Sequence, residues 1–265
     1  MNKSKIRTTI IALSTITMFS LAGCANNSNS STSTNAENSV VSTISVNDNA
    51  EDGLNNKGEQ LTPENINNNG SFRITNADNL KEDSYRLDMF VDAACGACQM
   101  VEFELGEDLI TKAENGDIDY YITHVPFLDD DTVGDYSTRA ANAFVTIAEE
   151  DPVQAAKFMQ KIYEPVFFPT HGPAHKERSD KEILEVAESV GVSKETLEKI
   201  TKLHYVDWLT ENTNELMENK TIFPNGITTP TTVLGLDTNP EIVKFSGSIR
   251  EDFESQVQEY VNNNQ

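Results

Sequence analysis

The chain has 265 residues, room for one large domain or two small ones, and 37% of them are hydrophobic, enough for a core over part of that length. Its 43 acidic residues against 20 basic ones give a formal net charge of −23. A surface this acidic repels phosphate backbones and gains nothing from counterion release, which argues against nucleic acid as a partner; otherwise the charge describes a solvated exterior.

Residues 1 to 24 read MNKSKIRTTIIALSTITMFSLAGC. Lys3, Lys5 and Arg7 precede about sixteen apolar, small or hydroxyl residues, the pattern of a secretory leader and too short and polar for a membrane span. The stretch ends in Leu21-Ala22-Gly23-Cys24, which resembles the lipobox of bacterial lipoproteins. That resemblance implies a signal peptide over 1–23, cleaved before Cys24, and a lipid on the Cys24 sulfur. Two acyl chains anchor stably where one is marginal. Residues 24 to 70 follow without one aromatic side chain and are dominated by Asn, Ser and Thr. Such a composition buries too little apolar surface to offset chain entropy and predicts a disordered tether.

The folded part is expected over 71–265. Residues 84 to 91, SYRLDMFV, read as a strand. Cys95 then opens a helix running to Asn115-Gly116, its stop signal. Residues 117 to 127, DIDYYITHVPF, alternate as a second strand, so a βαβ unit wraps Cys95 and Cys98. Several helices come next, in a block at about 132–219. Asp151-Pro152 places an N-cap before a proline at the first helical position, Ser179 opens a capping box, Ser193 caps another helix, and a further helix surrounds Trp208. Residues 227 to 235, ITTPTTVLG, read as a strand, IVKFSG as another, and a capping box at Ser248 opens a terminal helix to about Tyr260.

Strand, C-x-x-C at a helix start, strand, then Thr-Pro before a hairpin and a final helix resembles the thioredoxin pattern. A helical block inserted after the βαβ half resembles its DsbA-like variant, an α/β fold with an inserted helical domain. Phe90, Asp92, Cys95 and Cys98 look like the approach to the DsbA-like active site, and Thr229-Pro230 stands where that family carries a cis-proline. The resemblance covers about residues 72 to 262. It implies an extracytoplasmic thiol–disulfide oxidoreductase that introduces disulfides into exported cysteine-containing proteins without a cofactor. It implies reoxidation by a quinone-linked membrane partner and a place on the outer face of the bacterial cytoplasmic membrane.

The residue types suit that chemistry. The attacking species in disulfide exchange is a thiolate, and the unpaired N–H groups of a helix start favour it. Cys98, three residues on, lies one turn further along the same face and serves as resolving thiol, which leaves Cys95 as nucleophile. Thr229 and Pro230 offer a backbone edge to which a substrate strand can add. Three departures from the family stand out. Gly96-Ala97 between the cysteines carries no side chain able to hold a thiolate, so the Cys95 pKa is expected below about 8.5 but above the roughly 3.5 of the strongest oxidants. Met89 takes the position of a buried acid found in many relatives, which leaves proton handling at Cys98 to water or Asp92. Ala94 replaces an aromatic residue before the nucleophile.

Other readings stay open at this point. The pair can act as a reductase or isomerase, or as a structural disulfide in a binding module. No metal is expected: His171 and His175 lie too far from the cysteines for a finger, and Gly172-Pro173 prevents their pairing on a helix. Asp129-Asp130-Asp131 reads as a solvated turn, His124 as a hydrogen-bonded packing residue and Trp208 as core.

Overall fold

The computed structural model describes residues 39–44, 54–130, 133–169 and 177–264. The leader, Cys24, Asp131, His171 and His175 lie outside the described residues. Five strands form one sheet: β1 (Phe72–Arg73), β2 (Tyr85–Val91), β3 (Ile118–His124), β4 (Thr231–Leu234) and β5 (Glu241–Ile242). Their spatial order is β1-β3-β2-β4-β5. β2 and β3 pair in parallel, with Val91 opposite His124, and the other neighbours are antiparallel. The parallel pair requires a crossover, supplied by helix α1 (Gly96–Glu114).

Alternation along β2 sorts its side chains. Leu87, Met89 and Val91 enter the larger core beneath α1 and the helical block, and Phe90 enters a smaller one with Val125, Phe223 and Val233. Asp88 shares the even face, fully buried, and takes a two-pronged contact from Arg86 at 2.7 and 2.8 Å. On α1 the buried residues Cys98, Val101, Glu102, Leu105, Leu109 and Ala113 recur every three or four positions, the stripe by which a helix packs on a sheet. Asn115 caps the helix and Gly116, at φ +72°, makes the left-handed step out of it.

The helical block contains α2 (Tyr136–Ala148), α3 (Pro152–Ile162), α4 (Asp180–Ser189), α5 (Lys194–Ile200) and α6 (Val206–Glu218), and α7 (Ile249–Asn264) closes the chain. All thirteen residues of α2 are buried, which makes it the axis of the block. Arg139 on α2 is 1% exposed and meets three acids, Asp135, Glu177 and Asp180, so its buried charge is paired on every side. No helix among the described residues is long and apolar enough to cross a membrane.

Four expectations are revised here. The described part of the expected tether, 39–44 and 54–70, lies along the helical block instead of leaving it. Gly58 and Leu61 donate backbone N–H groups to the Lys202 and His204 carbonyls at 2.7 Å, Glu64 and Asn65 donate theirs to Glu149, and Val41 is 2% exposed. Backbone hydrogen bonds hold this strap, a term that apolar composition does not register. Asp129 is half-buried and accepts from the N–H groups of Ser137 and Thr138, so it caps α2 from upstream. His124 is buried against the Phe144 ring at a centroid distance of 4.4 Å, and neither ring nitrogen has a hydrogen-bond partner among the described residues. Burial alone pushes its pKa down to about 3, so it is carried neutral. Trp208 is half-buried at the edge of the core.

Candidate functional site

β2 ends at Val91 and the chain turns through Asp92, Ala93 and Ala94 into α1. The Cys95 N–H closes that turn on the Asp92 carbonyl at 3.0 Å, and the Tyr163 hydroxyl donates to the same carbonyl at 2.8 Å. Asp92 itself is fully buried, and its carboxylate organises the loop. One oxygen accepts from Ala94 N–H at 2.8 Å and from the Ser137 hydroxyl at 2.5 Å; the other accepts from Phe127 and Leu128 N–H at 2.9 and 3.0 Å. Burial raises its pKa against the pull of those donors. With both oxygens occupied twice, Asp92 fixes the approach to the cysteines and is not free to take the Cys98 proton, which revises the expected choice between it and water.

Cys95 is the N-cap of α1, and its sulfur accepts from Cys98 N–H at 3.3 Å. Both cysteines are free thiols. Cys95 is 7% exposed and Cys98 2%, whereas Gly96 and Ala97 between them face solvent. Antiparallel pairing of Phe90 with Thr231 brings Thr229 and Pro230 to the same end of β2. The Thr229–Pro230 peptide is cis, and in the thiol form Cys95 donates to the Thr229 carbonyl at 3.2 Å. Thr229 Oγ1 is buried without a hydrogen-bond partner among the described residues, and turned onto the sulfur it would hold the thiolate as well.

The two thiols are driven apart. A hydrogen bond from the Cys98 thiol is the largest influence on Cys95; burial opposes it, and Thr229 with the Cys98 and Ala97 N–H groups reinforces it. The result holds Cys95 down to about 6. That lies inside the expected interval, and neither Gly96 nor Ala97 contributes a side chain to it. Burial first, then its bond and charge relation to Cys95, pushes Cys98 well above the ordinary thiol range. At neutral pH the arrangement therefore holds one thiolate at the start of α1 beside one more deeply buried thiol, the two roles that disulfide exchange needs.

The sequence, read alone, passes over two residues of this site and one buried acid further along α1. Tyr163 and Ser137 come from the helical block and carry no local signal. Glu102 is 5% exposed and sits four residues beyond Cys98 on the buried stripe of α1, where helical periodicity would have found it.

No family model and no curated protein sequence matches the chain. Solved structures do. Reduced DsbA from Mycobacterium tuberculosis aligns with a TM-score of 0.58 at 19% identity, over 71% of this chain and 91% of its own. The reduced disulfide bond oxidoreductase DsbG from the same organism gives 0.59 at 18%, over 80% and 91%. The thiol–disulfide oxidoreductase MdbA from Corynebacterium diphtheriae gives 0.55 at 17%, over 77% and 98%. The fold is DsbA-like. The thioredoxin-type half of that DsbA-like fold is the sheet with α1 and α7, and its inserted block is α2 to α6. Within that fold one thiol stands at the start of α1 and the other is buried one turn on.

The asymmetry has a direct check. Iodoacetamide should modify the reduced protein once, at Cys95, with a rate half-maximal near pH 6, while Cys98 stays unmodified. A midpoint near the free thiol value of about 8.5 contradicts the geometry. Because the folded value is depressed, the Cys95 thiolate lends the reduced protein stability that is present above the free thiol pKa and lost as pH falls through about 6.

Proposed function

We propose that the chain is an extracytoplasmic thiol–disulfide oxidoreductase that introduces disulfides into exported proteins through Cys95 and Cys98. The observation that carries the reading is the split between a thiol held near pH 6 at the start of α1 and a buried one raised well above the ordinary range. In the oxidised protein a substrate thiolate attacks Cys95 Sγ, the Cys95–Cys98 bond breaks, and Cys98 leaves and takes up a proton. A second substrate thiolate then attacks the substrate sulfur of the mixed disulfide, and Cys95 leaves as a thiolate. The substrate loses two electrons, the pair gains them, and a membrane oxidant of the quinone-linked class restores the disulfide. The low Cys95 pKa favours the reduced form and so favours oxidation of the substrate. The strand edge at Thr229 and Pro230 is the place for an extended substrate segment. The experiment is oxidation of a reduced, cysteine-containing test protein by the oxidised chain, counted as substrate thiols lost per Cys95–Cys98 pair. One disulfide per pair supports the reading. Efficient reduction of an oxidised test protein with no oxidation of the reduced one supports the reductase instead.

Location belongs to the same proposal. Cys24 follows a leader and a lipobox-like tetrapeptide, and a diacylglycerol there would hold the enzyme at the outer face of the cytoplasmic membrane. Cys24→Ser is expected to move the protein from the membrane fraction to the soluble one, or to leave the leader uncut. Mass spectrometry of the wild type should find a mature N-terminus at Cys24 with an acyl mass; an unmodified N-terminus elsewhere refutes the anchor.

A further inference from the structure

Phe103 is a large aromatic residue placed where water meets it. It is 83% exposed on α1, and Met100, one turn earlier on the same side of the helix, is 57% exposed. Neither position serves the core, and on a solvent-facing helix surface Lys, Glu or Ala forms helix better than Phe. Val166, in the turn after α3, is 66% exposed. Five large apolar side chains are exposed among the described residues, and these three flank one cleft: Phe103 lines it, Met100 precedes Phe103 by a turn, and Val166 follows the lining residue Pro165. Single exposed apolar residues are ordinary, whereas a cluster beside a reactive group marks a contact surface.

The cleft encloses about 720 Å³ between α1 and α3, a size that suits a ligand. Its upper end lies beside the cysteines, because Gln99, the residue after Cys98, donates through Nε2 to the Tyr163 carbonyl at the end of α3 at 2.7 Å. From there it follows α1 past Phe103 and Glu107 to Glu114. Its two lysines are already paired, Lys157 with Glu114 at 2.7 Å and Lys161 with Glu164 at 2.6 Å. The exposed Glu107 has no ion pair among the described residues. The cleft thus offers an apolar mouth and, one turn further along α1, an uncompensated carboxylate. An anionic membrane surface is repelled by that carboxylate and by a chain of net charge −23. A polypeptide with an apolar side chain followed by a basic one satisfies both parts. A helix rises 1.5 Å per residue, which puts Phe103 about 12 Å and Glu107 about 18 Å along α1 from Cys95. At about 3.3 Å per residue of extended chain, the apolar side chain falls about three or four residues from the substrate cysteine and the basic one about five or six.

Resting on the reading of Cys95 and Cys98 as a redox pair, we infer that the α1–α3 cleft is a substrate-docking groove, separate from the Thr229–Pro230 edge, that selects unfolded segments carrying a large apolar residue and then a basic one beside the reacting cysteine. Phe103 and Met100 cover the apolar side chain, and Glu107 pairs with the basic one.

The test uses the full oxidised chain and reduced peptides with a central Cys-Gly-Gly-Cys. Outside each cysteine the parent peptide carries a Phe three residues away and a Lys five residues away, so both chain directions are offered. A second peptide has Ser for each Phe, and a third has Glu for each Lys. The two peptide thiols close to a disulfide as the Cys95–Cys98 bond opens to two thiols, so no further oxidant enters. Each rate is divided by that for glutathione, a thiol without an apolar side chain. The wild type should oxidise the parent about tenfold faster than the Ser peptide, the scale of partly burying one aromatic side chain, and about threefold faster than the Glu peptide. Phe103→Ser should abolish the first preference and Glu107→Gln the second, each leaving the other in place. Both side chains face solvent, so neither substitution opens the core. Equal rates for the three peptides, or preferences that survive in the variants, overturn the inference and leave the redox reading standing. A Phe103→Ser chain that keeps the peptide preference but loses binding to vesicles containing phosphatidylglycerol gives the patch to a membrane and overturns it too. No loss of thiols from any peptide or from glutathione overturns the redox reading and this inference with it.

Discussion

Cys98→Ser accumulates covalent adducts with exported proteins, and Cys95→Ser accumulates few. This is the expected outcome of placing one thiol at the N-cap of α1 and the other 2% exposed beneath it. In Cys98→Ser the Cys95 thiolate can still attack a substrate disulfide, and the bond formed has no intramolecular thiol to break it. In Cys95→Ser the remaining thiol is buried and its pKa is raised, so the thiolate fraction and the access fall together. Loss of the nucleophile should lower exchange by about 10³-fold or more, and adding Cys98→Ser to it should cost little further, because residues that act as a unit are not additive. Non-reducing gels of membrane and secreted fractions from cells carrying each variant read the result. Equal trapping by both variants refutes the assignment of nucleophile, and trapping by neither favours a structural disulfide.

The second large effect is on stability. Burial pushes the Glu102 carboxyl from its ordinary 4.5 up to about 8. Below about pH 4.5 the acid is protonated in both the folded and unfolded chains and costs nothing as a charge. Between about 4.5 and 8 the unfolded chain ionises while the folded one holds its proton, so stability falls as pH rises; above about 8 the penalty is complete and flat. Each unit of pH within that window is worth about 1.4 kcal/mol. Glu102→Gln lacks the titration and keeps a similar shape. Urea unfolding of both proteins should therefore show the variant gaining on the wild type across this window by about that slope. Measuring the oxidised form removes both thiols from the balance. His124 works the other way, its depressed pKa costing stability as pH falls below about 6.5, but it is common to both proteins and cancels in the difference. A pH-independent difference would show that Glu102 is ionised and solvated in the folded state.

Much of this molecule is legible in its sequence, and the misreadings have physical causes. β2, α1 and β3 follow from period-2 and 3.6-residue patterning with an Asn-Gly stop, because each element has one neighbour layer that imposes its period. α2 carries no such signature. It is buried all round, its own N-cap residue Asp135 makes no side-chain capping bond, and the cap comes from Asp129, six residues before that N-cap. The strap over 54–70 looks disordered to a reading of apolar content, because backbone groups paired with Glu149, Lys202 and His204 hold it in place. At the site, Cys95, Cys98, Thr229 and Pro230 announce themselves by motif and order. Asp92 does so only in part: its position was readable, but its four donors come from three segments that meet only in the fold. Glu102 was within reach of simple helical counting from Cys98, and what hid it is the habit of reading a glutamate on a helix as solvent-facing.

The central claim is that this pair donates disulfides, and the reduction potential of Cys95/Cys98 tests it most directly. The helix start and the Cys98 thiol stabilise the Cys95 thiolate, while Gly96-Ala97 adds nothing, so the reduced form is favoured by less than in the strongest oxidants. Equilibration of the purified protein in glutathione buffers should give a potential of roughly −130 to −230 mV. A value near or below about −270 mV, with Cys95 titrating near the free thiol value, would contradict the account and make the chain a reductase.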